Sequence, residues 1–231
     1  MKLTKRFFPG LYRIFGRNTF SQAGEDAVLE YLWYRKGIKA PKYLEIGVCD
    51  PRIGNNTYLY TLRGGKGVLV ETNPSIIGWI KRERPRDLVI NMGVATDMQS
   101  TEAEFYIFDI PAINTFNKEE AQKRIAHGRK LLNTIKVPLI TINTLIEKYF
   151  STYPDYLSID IEGLDYDVLA NLDYSRFPIP VICVETCSYS EGLYIEKDTR
   201  FKDLLESNGY MIYADTFLNS IFVHKEWFNK N

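Results

Sequence analysis

Hydrophobic and polar residues alternate along this chain in two rhythms. Short β-branched or aromatic runs, suited to buried strands, are separated by longer stretches whose apolar positions have helical spacing. After Ser21 the segment GEDAVLEYLWYRK sets Ala27, Val28, Tyr31 and Leu32 at that spacing. Residues 43–48 read as a strand, 49–54 as a loop and 55–62 as a helix ended by Gly64 and Gly65. A second strand spans 67–71, and Pro74 suits the first turn of the helix after it. Residues 88–94 form the third expected strand.

The middle of the chain is less regular. Residues 103–108 and 137–142 have strand patterns, and 117–130 and 144–150 have helical ones. A buried strand at 156–161, a helix at 165–172 and a second buried strand at 181–185 follow. A helix over 199–208 is capped by Gly209, and strands at 210–215 and 219–224 end the series as a hairpin. Strands alternating with helices predict an α/β fold, a mostly parallel sheet with helices on both faces. No Pro/Gly/Ser-rich linker and no internal repeat divides the chain, so residues 21–231 are expected as one domain after a basic arm, 1–20.

That arm joins Lys2, Lys5, Arg6, Arg13 and Arg17 to Phe7, Phe8, Leu11 and Phe15, and Pro9 and Gly10 interrupt any continuous helix. This fits an arm packed on the domain or on a partner better than one lying on an anionic membrane surface. No apolar run reaches the roughly 18 to 20 residues that cross a bilayer. The 29 basic and 29 acidic residues cancel, which removes the electrostatic pull toward nucleic acid. Three cysteines and two histidines lack the spacing of a zinc site and point to a reduced, cytoplasmic compartment.

Acidic residues gather at the expected strand ends. Tyr43-Leu44-Glu45-Ile46-Gly47 ends a strand and opens through Asp50 and Pro51 onto Asn55, Asn56 and Thr57. A strand turning into a helix in this way places a ligand at the carboxyl edge of the sheet, where Gly47 lets the backbone come close. The GxGxxG fingerprint is absent, and Glu45 and Asp50 suit a cationic ligand rather than a pyrophosphate. A tight turn with a capping Asn accounts for the same residues. Glu71, about 24 residues beyond Gly47, can accept hydrogen bonds from both hydroxyls of a ribose. Asp160 and Glu162 end one apolar strand and Glu185 ends the next. Buried acids are costly unless paired or used. Asp160 or Glu162 can take a proton from a hydroxyl, or all three can serve together as ligands of Mg²⁺. Helix caps and sheet-edge acids explain one of them comfortably and three less well.

The order of these pieces resembles the FkbM-type methyltransferases over residues 21–223. The resemblance is carried by Ser21-Gln22 with Gly24-Glu25-Asp26, by Glu45-Ile46-Gly47, by Asn56-Thr57-Tyr58 and by Glu71-Thr72-Asn73-Pro74. It continues in Asn91-Met92-Gly93, Asn114-Thr115-Phe116, Ser158-Ile159-Asp160-Ile161-Glu162-Gly163, Val184-Glu185-Thr186 and Asn219-Ser220-Ile221-Phe222. It implies a Rossmann-like class I methyltransferase fold, a seven-stranded mostly parallel sheet whose last strand is antiparallel. It implies S-adenosylmethionine as methyl donor and O-methylation of a small molecule, such as a sugar of a glycan or natural product. Gln22, Glu45, Gly47, Asp50, Asn56, Thr57, Glu71, Asn73, Gly93 and Asp160 would then lie at the donor, and Asp160 and Glu162 at the acceptor. Ser21, Gln22, Glu25 and Asp26 would fold over the site. Cys49-Asp50-Pro51 and Thr72 depart from the pattern of many relatives, which leaves the contacts of the first loop open.

Two other classes stay in view. An NAD-dependent oxidoreductase shares the alternating sheet but lacks the glycine fingerprint and leaves the terminal hairpin unexplained. A non-catalytic binding or scaffold protein would not need Glu71, Asp160 and Glu162 together. Acceptor choice is expected to lie in the segments around 109–135 and 186–198.

Overall fold

The structure is a computed structural model. It describes residues 19–230 apart from Met98, Glu162, Glu191 and Gly192, with the backbone alone at 188–190 and 193–196. The basic arm therefore falls almost wholly outside the described residues.

Seven strands form the main sheet: β1 (Tyr43–Ile46), β2 (Gly67–Val70), β3 (Leu88–Ile90), β7 (Tyr156–Ile159), β8 (Val181–Glu185), β11 (Tyr210–Asp215) and β12 (Asn219–His224). Their order across the sheet is β3-β2-β1-β7-β8-β12-β11. Pairing is parallel from β3 to β8, and β12 runs antiparallel to both β8 and β11. The strand order reverses between β1 and β7, and a parallel sheet opens a crevice at the carboxyl ends of the strands at such a point.

Both faces of the central strands are buried, which explains why they read as continuous apolar runs. Leu44, Ile46, Leu157, Ile159 and Ile182 enter one core, and Tyr43, Tyr156, Val181 and Cys183 the other. Helices α1 (Glu25–Arg35), α2 (Tyr58–Leu62), α3 (Pro74–Glu83), α5 (Ile142–Tyr149), α6 (Asp165–Ala170), α7 (Arg200–Ser207) and α8 (Lys225–Asn229) connect or flank the strands. No helix among the described residues is long and apolar enough to cross a membrane.

Two segments depart from the sequence reading. The third expected strand, 88–94, breaks in two. Asn91 turns its amide back to donate to the carbonyls of Glu71 and Thr72, both at 2.9 Å, and the chain leaves the main sheet there. Its second half, β4 (Gly93–Ala95), joins a separate three-stranded sheet with β5 (Glu102–Phe108) and β6 (Leu131–Thr141), in the order β4-β6-β5. Strand β6 starts six residues before the expected 137, because it pairs antiparallel with β5 along nearly its whole length. The helix between them, α4 (Lys118–Ala126), is shorter than expected: Asn117 caps its start and Gly128, at φ 82°, turns the chain out of it. The second departure is an added hairpin, β9 (Cys187–Ser190) with β10 (Leu193–Lys197), directly after β8.

Candidate active site

A cavity of about 500 Å³ lies at the crevice between the ends of β1 and β7. This is within the size range of small-molecule sites. One wall is the loop after β1, from Gly47 to Asp50 with Ile53 and Gly54, and Gln22 packs beside it at Gly54. Glu71, Thr72 and Ile76 form the floor beyond β2. Asp160, Ile161 and Glu185 line the ends of β7 and β8. Phe105 and the segment 111–116, from the three-stranded sheet, close the far side with Arg124.

The glycine of the first loop is there for space. Gly47 sits at φ 88°, and a β-carbon on it would lie 1.8 Å from the carbonyl oxygen of Asp160. Only glycine allows the first and fourth parallel strands to end so close together. Two residues on, Cys49 holds a left-handed backbone at φ 48°. Strain of this kind in a non-glycine residue persists only where the surroundings impose it, and it clusters at functional sites. Here its N–H is turned to donate to Glu71 Oε2 at 3.1 Å.

Glu71 holds the loop after β1 to the end of β2. Its other oxygen, Oε1, accepts the N–H of Asn73 at 2.6 Å. Each carboxylate oxygen thus accepts one backbone N–H at full hydrogen-bond distance. Burial pushes the Glu71 pKa up, partly offset by N–H groups from Asn73, Cys49, Val48 and Thr72.

The opposite end of the crevice is set by β7 and β8. Ile159 pairs with Val184, so Asp160 and Glu185 are the next residues on adjoining strands. The turn after Asp160 is held by Asp165, which is buried at the start of α6 and accepts the N–H groups of Ile161 at 3.0 Å and Gly163 at 3.2 Å. Sequence reasoning missed Asp165: it is the first residue of α6 rather than its N-cap, and its reach back to N–H groups before the helix has no separate signal in the sequence. Glu162 lies outside the described residues. Among the described residues no three His, Cys, Asp or Glu side chains gather as a metal site.

Several residues expected at the donor do not line the cavity. Glu45 is mid-strand, so its side chain points from the sheet face rather than over the edge. It accepts from Thr57 Oγ1 at 2.5 Å and from Asn55 Nδ2 at 2.7 Å, behind the loop. Asn56 turns inward to Ser158 Oγ at 3.1 Å. Asn73 caps α3 through Ser75. Gly93 lies under Phe116, whose Cζ would be 2.5 Å from an added β-carbon. Gln22, Gly47, Asp50, Glu71, Asp160 and Glu185 do come together. Gln22 is positioned by its own segment: Asp26 accepts from Phe20 N at 2.8 Å and Ser21 Oγ at 2.9 Å, and Glu25 accepts from Asn219 Nδ2 at 2.9 Å. Phe116 lines the cavity, while Tyr106 and Phe108 pack in a separate small core. The neighbour on the other face of β5, Phe105, lines it instead, with its ring centroid 4.8 Å from that of Phe116. Strand alternation could have found it. The side chain of Tyr189 is outside the described residues.

The charged lining consists of Asp50, Glu71, Asp160 and Glu185 against Arg124 alone. Such a surface suits a cationic ligand and opposes a pyrophosphate. The family model of the methyltransferase FkbM domain matches residues 45–212. The chain belongs to the FkbM methyltransferases. The match begins at Glu45 and takes in both carboxyl-edge clusters as well as the three-stranded sheet.

No curated protein matches the chain. Solved structures similar to it include a TehB-like SAM-dependent methyltransferase from Corynebacterium glutamicum, with 11% identity, 97% of this chain and 100% of that one covered, and a TM-score of 0.46. An O-methyltransferase from Bacillus cereus superposes at TM-score 0.43, with 11% identity over 96% of this chain and 94% of that one. The fibrillarin pre-rRNA processing protein of Methanococcus jannaschii has 12% identity, covers 81% of this chain and 67% of that one, and gives a TM-score of 0.41. The sheet of this FkbM chain, with its single reversed strand β12, has the Rossmann-like class I methyltransferase arrangement.

Proposed function

We propose that this FkbM protein moves a methyl group from S-adenosylmethionine to a hydroxyl of a small molecule, a sugar being the class that fits best. The observation that carries the reading is the joint placement of Glu71, Asp160 and Glu185 around one cavity at the strand-order reversal. The donor, when bound, supplies an electrophilic methyl group on a cationic sulfur. Glu71 lines the cavity with its carboxylate fixed by the N–H groups of Cys49 and Asn73 and is the acceptor for the ribose hydroxyls in this reading, and Gly47 gives the backbone room beside it. The acidic lining favours the donor's positive charge.

A hydroxyl is a poor nucleophile while it keeps its proton. Asp160 is the base in this reading, at the edge of β7 with Glu185 beside it to hold a second hydroxyl of the acceptor. Phe105 and Phe116 add aromatic rings to the same lining as these acids, the combination a sugar needs, with its hydroxyl edge and its C–H face. Positioning then does most of the remaining work, because attack on the methyl carbon needs close, aligned reactants.

The test is incubation of the full chain with isotope-labelled donor and a panel of free and nucleotide-linked sugars, amines and thiols, read by mass spectrometry. Label on a sugar oxygen supports the reading, and label confined to nitrogen or sulfur acceptors overturns it. A parallel arm with chelator separates the two roles open to the acids. Activity that survives chelation leaves Asp160 as base, and activity lost to chelator and restored by Mg²⁺ makes Asp160, Glu185 and Glu162 metal ligands instead.

A further inference from the structure

Arg84 stands at the C-terminal end of α3 and is fully buried, yet it is in neither the cavity lining nor any of the sequence motifs. A guanidinium has five N–H donors, and burying it is costly unless they are satisfied. All five are. Nε donates to Asp87 Oδ2 at 2.7 Å. Nη1 donates to the carbonyl of Pro51 and to Asn55 Oδ1, each at 3.1 Å. Nη2 donates to Thr57 Oγ1 at 2.8 Å and to Tyr43 Oη at 3.3 Å.

Three of the five acceptors belong to residues 51–57. This is the back of the same loop whose front presents Asp50, Ile53 and Gly54 to the cavity. The ion pairs with Asp87 and Glu45, the latter at 3.9 Å, satisfy only one of the five donors directly. Most of the rest of the fork is spread over one backbone carbonyl and two side chains of the loop. On the other side Glu71 draws in the N–H of Cys49. The loop is therefore clamped from behind by Arg84 and from the cavity by Glu71.

We infer that Arg84 is the positioning residue of the donor loop: it acts through Pro51, Asn55 and Thr57 and sets affinity for the methyl donor without touching it. The inference rests on the reading of this cavity as the donor site. Lysine keeps the charge opposite Asp87 and Glu45 but has a single nitrogen and cannot span Pro51, Asn55 and Thr57 together.

The experiment is calorimetric titration of wild type, Arg84→Lys and Thr57→Val with S-adenosylhomocysteine, beside melting temperature and amide hydrogen exchange over residues 50–57. Thr57→Val removes one acceptor of the fork in a side chain of similar shape, and it serves if the lysine variant does not fold. The expected result is a Kd raised at least tenfold in Arg84→Lys and severalfold in Thr57→Val, with faster exchange confined to residues 50–57. A lowered melting temperature with unchanged Kd in the folded variants would make Arg84 purely structural and overturn the inference. Wild type that fails to bind would instead remove the donor reading itself, which the variants cannot do.

Discussion

Gly47 and Asp160 meet at the strand-order reversal so closely that the first cannot carry a side chain: a β-carbon on Gly47 would sit 1.8 Å from the Asp160 carbonyl oxygen. The contact ties the donor loop to the strand that ends in the proposed base. The backbone ladder holds each of them from a neighbouring strand: Asp160 N–H donates to the carbonyl of Ile46 and Gly47 N–H to the carbonyl of Val70, both at 3.0 Å.

Gly47→Ala should therefore separate the two loops. A left-handed backbone in a residue with a β-carbon costs about 1–3 kcal/mol, and the clash adds a backbone shift. A displacement near 1 Å at a reacting centre can cost roughly a hundredfold in rate. The expected outcome is a protein that still folds with a lowered melting temperature, and whose turnover falls at least tenfold below that of wild type. Steady-state kinetics on folded protein checks this, and an alanine variant with unchanged turnover would contradict it.

Asp160→Asn tests the base. The amide keeps the shape of the side chain and removes proton-accepting power. Loss of a general base costs typically 10² to 10⁴ in rate, so kcat should fall by about that factor while the Kd for S-adenosylhomocysteine changes by less than roughly threefold. Glu71→Gln should give the reverse split, with the donor affinity lost first, because a hydrogen bond to a charged group contributes about 1.5–3 kcal/mol. The pair is read by comparing kcat with donor Kd in the two variants.

Glu45 supplies a pH dependence of stability. Its carboxyl is buried with Arg84, Thr57, Asp87 and Asn55 around it, and burial raises its pKa from 4.5 to about 7. The folded state holds the proton more tightly than the unfolded chain. The contribution of Glu45 is thus fully favourable below pH 4.5 and is lost as pH rises to about 7, a change on the order of 3 kcal/mol. Glu45→Gln cannot titrate. Melting temperatures measured from pH 5 to pH 8 should fall in wild type relative to the glutamine variant, and parallel curves would contradict the burial argument.

Much of this was legible in the residues. The apolar runs that became β1, β7 and β8 are buried on both faces, so their pattern carried no competing signal, and the acids at their ends stood out. Glu45 misled because a strand's last acids look alike in sequence, whereas the pleat sends Glu45 into the core and Asp160 to the edge. The break after β3 was hidden because it is made by the side chain of Asn91 reaching back to β2, a contact across 20 residues. Arg84 gave no signal at all: its partners are spread from Tyr43 to Asp87, and only folding gathers them. The hairpin 187–197 escaped notice for a related reason. Its anchor, Lys197, reaches Asp215 at 2.6 Å and Ser220 at 3.2 Å on strands that follow it in the chain.

The central claim is that the cavity at the ends of β1, β2 and β7 takes S-adenosylmethionine through Glu71. Calorimetric titration of the full chain with S-adenosylmethionine and S-adenosylhomocysteine, with NAD and Glu71→Ala as controls, tests it most directly. The account predicts micromolar binding of both sulfur compounds, none of NAD, and a loss of at least tenfold in the variant. Binding of NAD, or sulfur-compound binding unchanged by Glu71→Ala, would contradict it.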